Sequence, residues 1–487
     1  MSTPASEPHR VTDDADLAAL ITELGTEVVR TDVPTRTLVS TDRATVQEHH
    51  LPRAAVFART VQEVQAVLRW ASEHRVPVVP RGAGSGISGG AHATAGCIVL
   101  SLERMNRVLE VDAEAGLARV QPGVINGELN ALVAEQGLMF APDPASSAIA
   151  TIGGNIATNA GGLRCVKYGV TRDAVLGLTV VLANGALLTT GGRTLKDVSG
   201  YDLTGLIVGS EGTLGIVVEA TVRLLPLPLG TAALSAFFPD LPSAIAGMSA
   251  VFAARLGPAI VELLDGRTLR FLEARDGTAG ALSSLPRVPE GATPDGGGLL
   301  LFQFDGSDAA ELASRARETL AEAGALQLSP EGDPAVWELL AIRKATRGAD
   351  SDTQLRVGED ITVPRPRLAE CVAGLEEIAE SRRVGLRIIA HAGDGNLHPT
   401  FFLEPEESDR IGDLGAALDD SVRLALKLDG TITGEHGVGQ FKLRWFREQH
   451  DAVSAGVHRQ IKQALDPLGI LNPGKAFVDD TSPPLAR

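Results

Sequence analysis

The residues best equipped for chemistry are His391 and His398, set in His391-Ala392-Gly393-Asp394-Gly395-Asn396-Leu397-His398. The apolar run Val384-Gly385-Leu386-Arg387-Ile388-Ile389-Ala390 precedes this stretch and Thr400-Phe401-Phe402-Leu403 follows it, so it reads as strand, turn and strand. Asp-Gly suits a two-residue hairpin loop because Gly accepts the positive φ of a tight turn. With Asp394 and Gly395 as the loop, His391 is expected to face His398 directly. Opposed residues have Cβ atoms about 4.5 to 5.5 Å apart, close enough for two imidazoles to share one ion. A second stretch, Thr433-Gly434-Glu435-His436-Gly437-Val438-Gly439, adds a carboxylate and another imidazole in a glycine frame. Two His and one Glu make a three-ligand metal site with a position left for substrate. A lone histidine is more often a surface or satisfied core residue; the hairpin pair together with Glu435-His436 favours chemistry.

These residues need elements to hold them. Thr60 and Glu63 have capping-box spacing, and Val61, Val64, Val67, Leu68 and Ala71 form a helical stripe. The strand Pro77-Val78-Val79-Pro80 then leads into Arg81-Gly82-Ala83-Gly84-Ser85-Gly86-Ile87-Ser88-Gly89-Gly90. Gly84, Gly86 and Gly89 match a GxGxxG dinucleotide spacing, but no helical stripe follows before the strand at Cys97, so a Rossmann unit is rejected. What stays is a loop whose backbone N–H groups can approach a pyrophosphate, against the bland alternative of a merely flexible segment. Strands are expected over 117–121 and 175–182, a helix over 127–136, and a long loop over 142–162. Thr151-Ile152-Gly153-Gly154-Asn155 lies in that loop, and Gly209-Ser210-Glu211-Gly212-Thr213-Leu214-Gly215 precedes another strand. Three small-residue segments suggest the walls of one groove for a large cofactor. Composition shifts at Pro226–Gly230, beyond which strands (233–238, 299–304) alternate with Ala-rich helices (309–323), as in a helix-covered antiparallel sheet. Residues 286–298 read as a surface loop, and 452–465 as a helix.

The 487 residues allow two or three domains, and a net charge of −17 disfavours nucleic acid. Three dispersed cysteines suggest neither a disulfide framework nor an iron–sulfur motif, which favours a reducing compartment. Neither a signal peptide nor a transmembrane run is apparent, so a cytoplasmic location is expected, with peripheral membrane docking left open.

Six motifs in register, from Pro80-Arg81-Gly82-Ala83-Gly84-Ser85-Gly86 through Thr151–Asn155, Gly209–Gly215, His391–Pro399 and Gly434–Gly437 to Asn472-Pro473-Gly474-Lys475, resemble the FAD-dependent D-2-hydroxyacid dehydrogenases. That group, which includes cytochrome-type D-lactate dehydrogenase and the D subunit of glycolate oxidase, lies within the vanillyl-alcohol-oxidase-like flavoproteins. The match runs from about Leu51 to Phe477. It implies an α+β fold: a leader and N-terminal helix over 1–50, a two-part FAD-binding domain over 51–228, an antiparallel-sheet cap over 229–428, and a C-terminal segment over 429–487 that returns to the flavin. By resemblance, Arg81, Gly82, Ala83, Gly84, Ser85, Gly86 and Ile87 hold the pyrophosphate. Pro142, Ser146, Thr151, Gly153, Gly154 and Asn155 line the isoalloxazine and ribityl, Gly215, Ile216 and Val217 approach the adenine half, and Gly161, Glu211 and Asn472 belong to the cofactor side. Gly89-Gly90 favours noncovalent FAD, with His92 the nearby residue to check.

The resemblance further implies that His391, His398 and Glu435 bind a divalent metal, Zn or Mn, with His436 as the base and Arg343 clamping the substrate carboxylate. A divalent ion would acidify and orient the substrate hydroxyl while hydride passes to flavin N5, and a well-placed base contributes ~10²- to 10⁴-fold. Arg343 has a bland alternative, a solvated helix charge. Relatives that take D-2-hydroxyglutarate carry a Lys where this chain has Gly358-Glu359-Asp360, so a small monocarboxylate, D-lactate or glycolate, is expected. The electron acceptor would be a cytochrome, a quinone or an electron-transfer flavoprotein, and a homodimer is allowed. Competing readings are a D-2-hydroxyglutarate-type enzyme, a metal-dependent hydrolase without flavin, and a noncatalytic subunit.

Overall fold

The computed structural model describes residues 14–44, 50–275, 288–293, 296–345 and 354–477. The chain forms two compact units: residues 1–160, 170–227 and 435–487 in the first, 161–169 and 228–434 in the second.

In the first unit a four-stranded sheet has the order Val29–Arg30, Ala54–Phe57, Ile98–Ser101, Val78–Arg81, the last three parallel. Ile98, Val99 and Leu100 are fully buried, as expected of a parallel strand covered on both faces. The helix Val61–His74 starts with the expected capping box, Thr60 Oγ1 accepting from the Glu63 N–H and Glu63 accepting from the Thr60 N–H, and ends at Arg75 with φ 53°. Its Val64, Val67, Leu68 and Ala71 stripe is buried. A five-stranded antiparallel sheet follows, in the order Val108–Asp112, Leu117–Val120, Ile216–Arg223, Val175–Val181, Leu187–Gly191. No helix follows the glycine loop: residues 82–96 are turns and irregular backbone, so the rejection of a Rossmann unit holds.

The long loop expected over 142–162 is only partly a loop. Ile152–Thr158 is a helix, capped by Thr151 Oγ1 accepting from the Gly154 N–H and stopped by Asn159 at φ 50°. Two glycines disguised it, yet one is there for packing: a Cβ on Gly153 would run into Pro122.

The second unit is an eight-stranded antiparallel sheet. Its order is Gln327–Leu328, Thr231–Phe238, Gly298–Asp305, Ile260–Asp265, Gly385–His391, Asn396–Leu403, Leu355–Gly358, and Ile361–Thr362 also pairs with Asn396–Leu403. Helices Leu241–Ala253, Ala309–Glu322, Leu368–Arg382 and Ile411–Lys427 pack on it. Every residue of Ile260–Asp265 and Gly298–Asp305 is buried. The surface loop expected over 286–298 falls partly outside the described residues, and its last residue opens a strand.

The hairpin register differs from expectation. Its loop is four residues, 392–395, closed by the Asp394 and Gly395 N–H groups donating to the His391 carbonyl, with Gly395 at φ 84°. His391 therefore pairs with Asn396, and His398 with Ile389. The register is shifted by two residues from the expected one, and an even shift keeps side chains on the same face. His391 and His398 thus meet on the diagonal.

Candidate active site

In the first unit the glycine loop follows the strand Val78–Arg81. Arg81 does not simply extend from it: a Cβ on Gly84 would overlap the Arg81 guanidinium, whose Nη1 donates to the Thr41 carbonyl 2.7 Å away. Burial lowers the Arg81 pKa, opposed by Glu103 and Asp42. Gly82 lies against the capped helix, where a Cβ would collide with Thr151 Oγ1, while Gly86 and Ile87 are exposed at the rim. Buried Asn155, on that helix, has an Nδ2 with no hydrogen-bond partner among the described residues. A glycine-rich loop in which Gly82 and Gly84 leave no room for a Cβ, beside an enclosed donor lacking an acceptor, fits a polar dinucleotide. Pro142 accepts from Asn126 Nδ2, and Ser146 caps the turn leading to Ala150. Gly215 opens the strand Ile216–Arg223, with Ile216 and Val217 paired to Val181 and Val180. Gly161 belongs to the second unit.

The C-terminal segment closes on the same loop. Asn472, at φ 43°, donates through Nδ2 to the carbonyls of Gly90 and Glu211 at 3.0 and 2.8 Å, and Lys475 Nζ donates to the His92 carbonyl at 2.6 Å. Glu211 is buried and accepts from the Val438 and Gly439 N–H groups, each at 2.8 Å. Burial pushes its carboxyl up to about 7 against the pull of those donors and Lys475, and burial likewise pushes Lys475 down to about 8. The segment carrying Glu435 and His436 is therefore gripped from two sides, since Ser88 Oγ also donates to the His436 carbonyl at 3.1 Å. No regular strand forms over 434–439; Gly437 and Gly439 take φ of 78° and 52°, so the chain bends just after Glu435 and His436. His436 Nε2 lies 3.5 Å from Glu435 Oε1. His92 is buried with Nε2 2.9 Å from Asp42.

In the second unit the His391 and His398 rings stand perpendicular with centroids 5.2 Å apart, and each offers a ring nitrogen within 4.8 Å of the other. His391 Nδ1 is 2.6 Å from Glu262 Oε1, so an ion held by this ring would bind at Nε2. Two imidazoles so arranged fit a divalent transition ion. Glu435 is the next residue after Gly434, whose N–H donates to Asp360 Oδ2 at 3.0 Å.

Arg343 is not a solvated helix charge. It is 1% exposed, on the helix Ala335–Ala345, with Nε 2.6 Å from Glu262 Oε2. Asp360 is fully enclosed and accepts from Asn396 Nδ2, Thr433 Oγ1 and the Gly434 N–H, with His398 Nδ1 3.9 Å away. Sequence reasoning missed Glu262 altogether and saw Asp360 only as an acid that repels a second carboxylate. The signal for Glu262 was a charge inside the otherwise apolar run Ile260-Val261-Glu262-Leu263-Leu264.

Comparison with known proteins gives this geometry a context. Residues 52–191 match the model of an FAD binding domain, and residues 227–476 match that of the C-terminal domain of FAD linked oxidases. The glycolate oxidase subunit GlcD of Bacillus subtilis (strain 168) is 41% identical over 448 residues, covering 91% of this chain and 93% of that protein. A D-lactate dehydrogenase of Anaerostipes hadrus is 35% identical over 430 residues, covering 87% and 89%. Substrate-bound p-cresol methylhydroxylase superimposes with a TM-score of 0.75 at 18% identity, over 97% of this chain and 99% of that one. The 4-ethylphenol oxidase of Gulosibacter chungangensis gives 0.73 at 18% identity, over 96% and 98%.

The fold is thus that of the vanillyl-alcohol-oxidase-type flavoproteins, and the molecule is an FAD-dependent oxidoreductase. Within that class, the chain belongs to the FAD-linked oxidase family, together with the glycolate oxidase D subunit and D-lactate dehydrogenase. A flavin-free hydrolase is set aside on this finding. Among the described residues, no helix is long and apolar enough to cross a membrane.

Proposed function

We propose that the protein oxidises a small D-2-hydroxy monocarboxylate, D-lactate or glycolate, to the 2-oxo acid. Bound FAD would supply the hydride acceptor, and a divalent ion, Zn or Mn, that His391, His398 and Glu435 would hold, would supply Lewis acidity at the substrate hydroxyl. His436 takes the hydroxyl proton, held in place by the grip of Ser88 and Glu211 on its segment. Arg343 binds the substrate carboxylate, its Nε edge being committed to Glu262. Asp360, by accepting from the Gly434 N–H, fixes the chain one residue before Glu435.

The observation that carries this reading is the His391–His398 pair backed by buried Glu262 on the neighbouring strand, which also pairs with Arg343 from a helix. A monocarboxylate is favoured because Glu359 and Asp360 are buried acids, which would repel a second substrate carboxylate, and Asp360 already accepts from Asn396, Thr433 and the Gly434 N–H. Noncovalent FAD is supported by the commitment of His92 to Asp42. The names of the relatives point to the same two substrates. Electrons then leave to a cytochrome, a quinone or an electron-transfer flavoprotein.

The test is anaerobic flavin bleaching against a panel of D- and L-2-hydroxy acids. Bleaching by D-lactate or glycolate, suppressed by a chelator and restored by Zn²⁺ or Mn²⁺, is expected. Bleaching by D-2-hydroxyglutarate alone, or indifference to the chelator, would sink the corresponding half of the reading.

A further inference from the structure

Glu262 occupies the strand Ile260–Asp265, whose six residues are all buried, and its side chain is completely enclosed. A carboxylate in such a place persists only with partners that offset its desolvation. Glu262 has one on each oxygen: His391 Nδ1 at 2.6 Å from Oε1, and Arg343 Nε at 2.6 Å from Oε2. The first contact follows from topology, because Glu262 and His391 are register partners on adjacent antiparallel strands. The second comes from a helix some eighty residues further along the chain, Ala335–Ala345.

We propose that Glu262 is a positioning residue that serves both halves of substrate binding at once. This rests on the reading of His391 as a metal ligand and Arg343 as the carboxylate clamp. Through Oε1 it holds His391 in the tautomer protonated at Nδ1, so that Nε2 carries the lone pair for the ion. Through Oε2 it pairs with the Arg343 guanidinium, 2.6 Å from Nε, and so fixes where that cation sits on its helix. One acid therefore sets the direction of two recognition elements, and loss of its charge is expected to weaken metal and substrate binding together.

The experiment compares wild type, Glu262→Gln, Glu262→Asp and the double variant Glu262→Gln/Arg343→Met as FAD-loaded proteins. Three readings are taken: the His391 tautomer by ¹⁵N-histidine NMR of metal-free protein, Zn²⁺ affinity by competition with a chromogenic chelator, and KM against kcat for D-lactate. Glu262→Gln is expected to lose the Nδ1-protonated signal of His391 and to bind Zn²⁺ roughly 10- to 100-fold more weakly. Its KM should rise roughly tenfold or more while kcat falls less, and Glu262→Asp should recover part of each effect. Zn²⁺ affinity within about twofold of wild type together with an unchanged KM overturns the proposal. So does a fall in kcat, FAD content and melting temperature in proportion, which marks a merely structural role.

Should Glu262→Gln not fold, the double variant removes both charges at once, and undiminished Zn²⁺ affinity there also overturns the idea. If wild type binds no Zn²⁺ or no 2-hydroxy acid bleaches its flavin, the functional reading falls separately. The tautomer then still decides whether Glu262 holds His391: an Nδ1 proton lost in Glu262→Gln supports it, and an Nε2 proton in wild type overturns it.

Discussion

Around residues 81–90 of the first unit, most groups that meet are main-chain amides and carbonyls, fitted together through glycine. In the second unit the groups that meet are polar side chains, several of them ionisable: Glu262 with His391 and Arg343, and Asp360 with Thr433 and Asn396. Backbone donors in a fixed loop suit a large cofactor whose phosphates need many modest contacts and no change of charge. Directed side chains suit a small acid that has to be polarised and deprotonated. His436, the proposed base, combines both traits, a side chain mounted on a segment gripped through its backbone.

The largest expected effect tests that combination. His436→Ala should slow flavin reduction by ~10²- to 10⁴-fold in single-turnover stopped flow, with FAD content and bound metal unchanged. Loss of metal instead would mean that the roles of Glu435 and His436 are exchanged. On the backbone side, Gly82→Ala places a methyl against Thr151 Oγ1. Overpacking of ~1–3 kcal/mol should weaken FAD binding about tenfold or more, read by fluorescence of released flavin. Normal retention would show that the cradle is looser than drawn.

Glu211 sharpens the comparison through pH. Its carboxyl is raised from an ordinary 4.5 to about 7, so between those values the folded protein holds a proton that the unfolded chain has lost. Stability should therefore fall as pH rises through that window, by up to about 3 kcal/mol, and Glu211→Gln should flatten the fall in urea titrations run between about pH 5 and 7.5. Lys475, lowered to about 8, acts only above that range, where stability should rise with pH. The smallest effect lies outside both regions: Thr60→Ala removes a helix cap and should cost about 1 kcal/mol in the same titration without altering flavin reduction.

How much of this could be read in advance follows the same division. The segments proposed to hold the cofactor are contiguous, so the glycine loop, Thr151–Asn155 and Asn472–Lys475 all stand out as motifs, although Arg81 and Asn472 bind backbone carbonyls of their own unit. The helix Ile152–Thr158 hid because it carries two glycines, of which Gly153 serves packing against Pro122, and local propensity cannot see that. The histidine pair was legible, but its register was not, since turn length alone distinguishes a two-residue loop from a four-residue one. Glu262 reaches His391 across 129 positions of chain, a separation that no short pattern spans.

Nine residues, Gly161–Gly169, belong to the second unit although the chain on either side of them lies in the first. Within that unit Tyr168 donates to Asp305 Oδ2 at 2.7 Å, Lys167 pairs with the same carboxylate, and Val166 fills the space where a Cβ on Gly393 would sit. A chimera that swaps residues 228–434 for the matching block of a relative would therefore carry a foreign sheet over a native strap. Matched grafts should exchange both pieces, and the gene offers no single cut that does so.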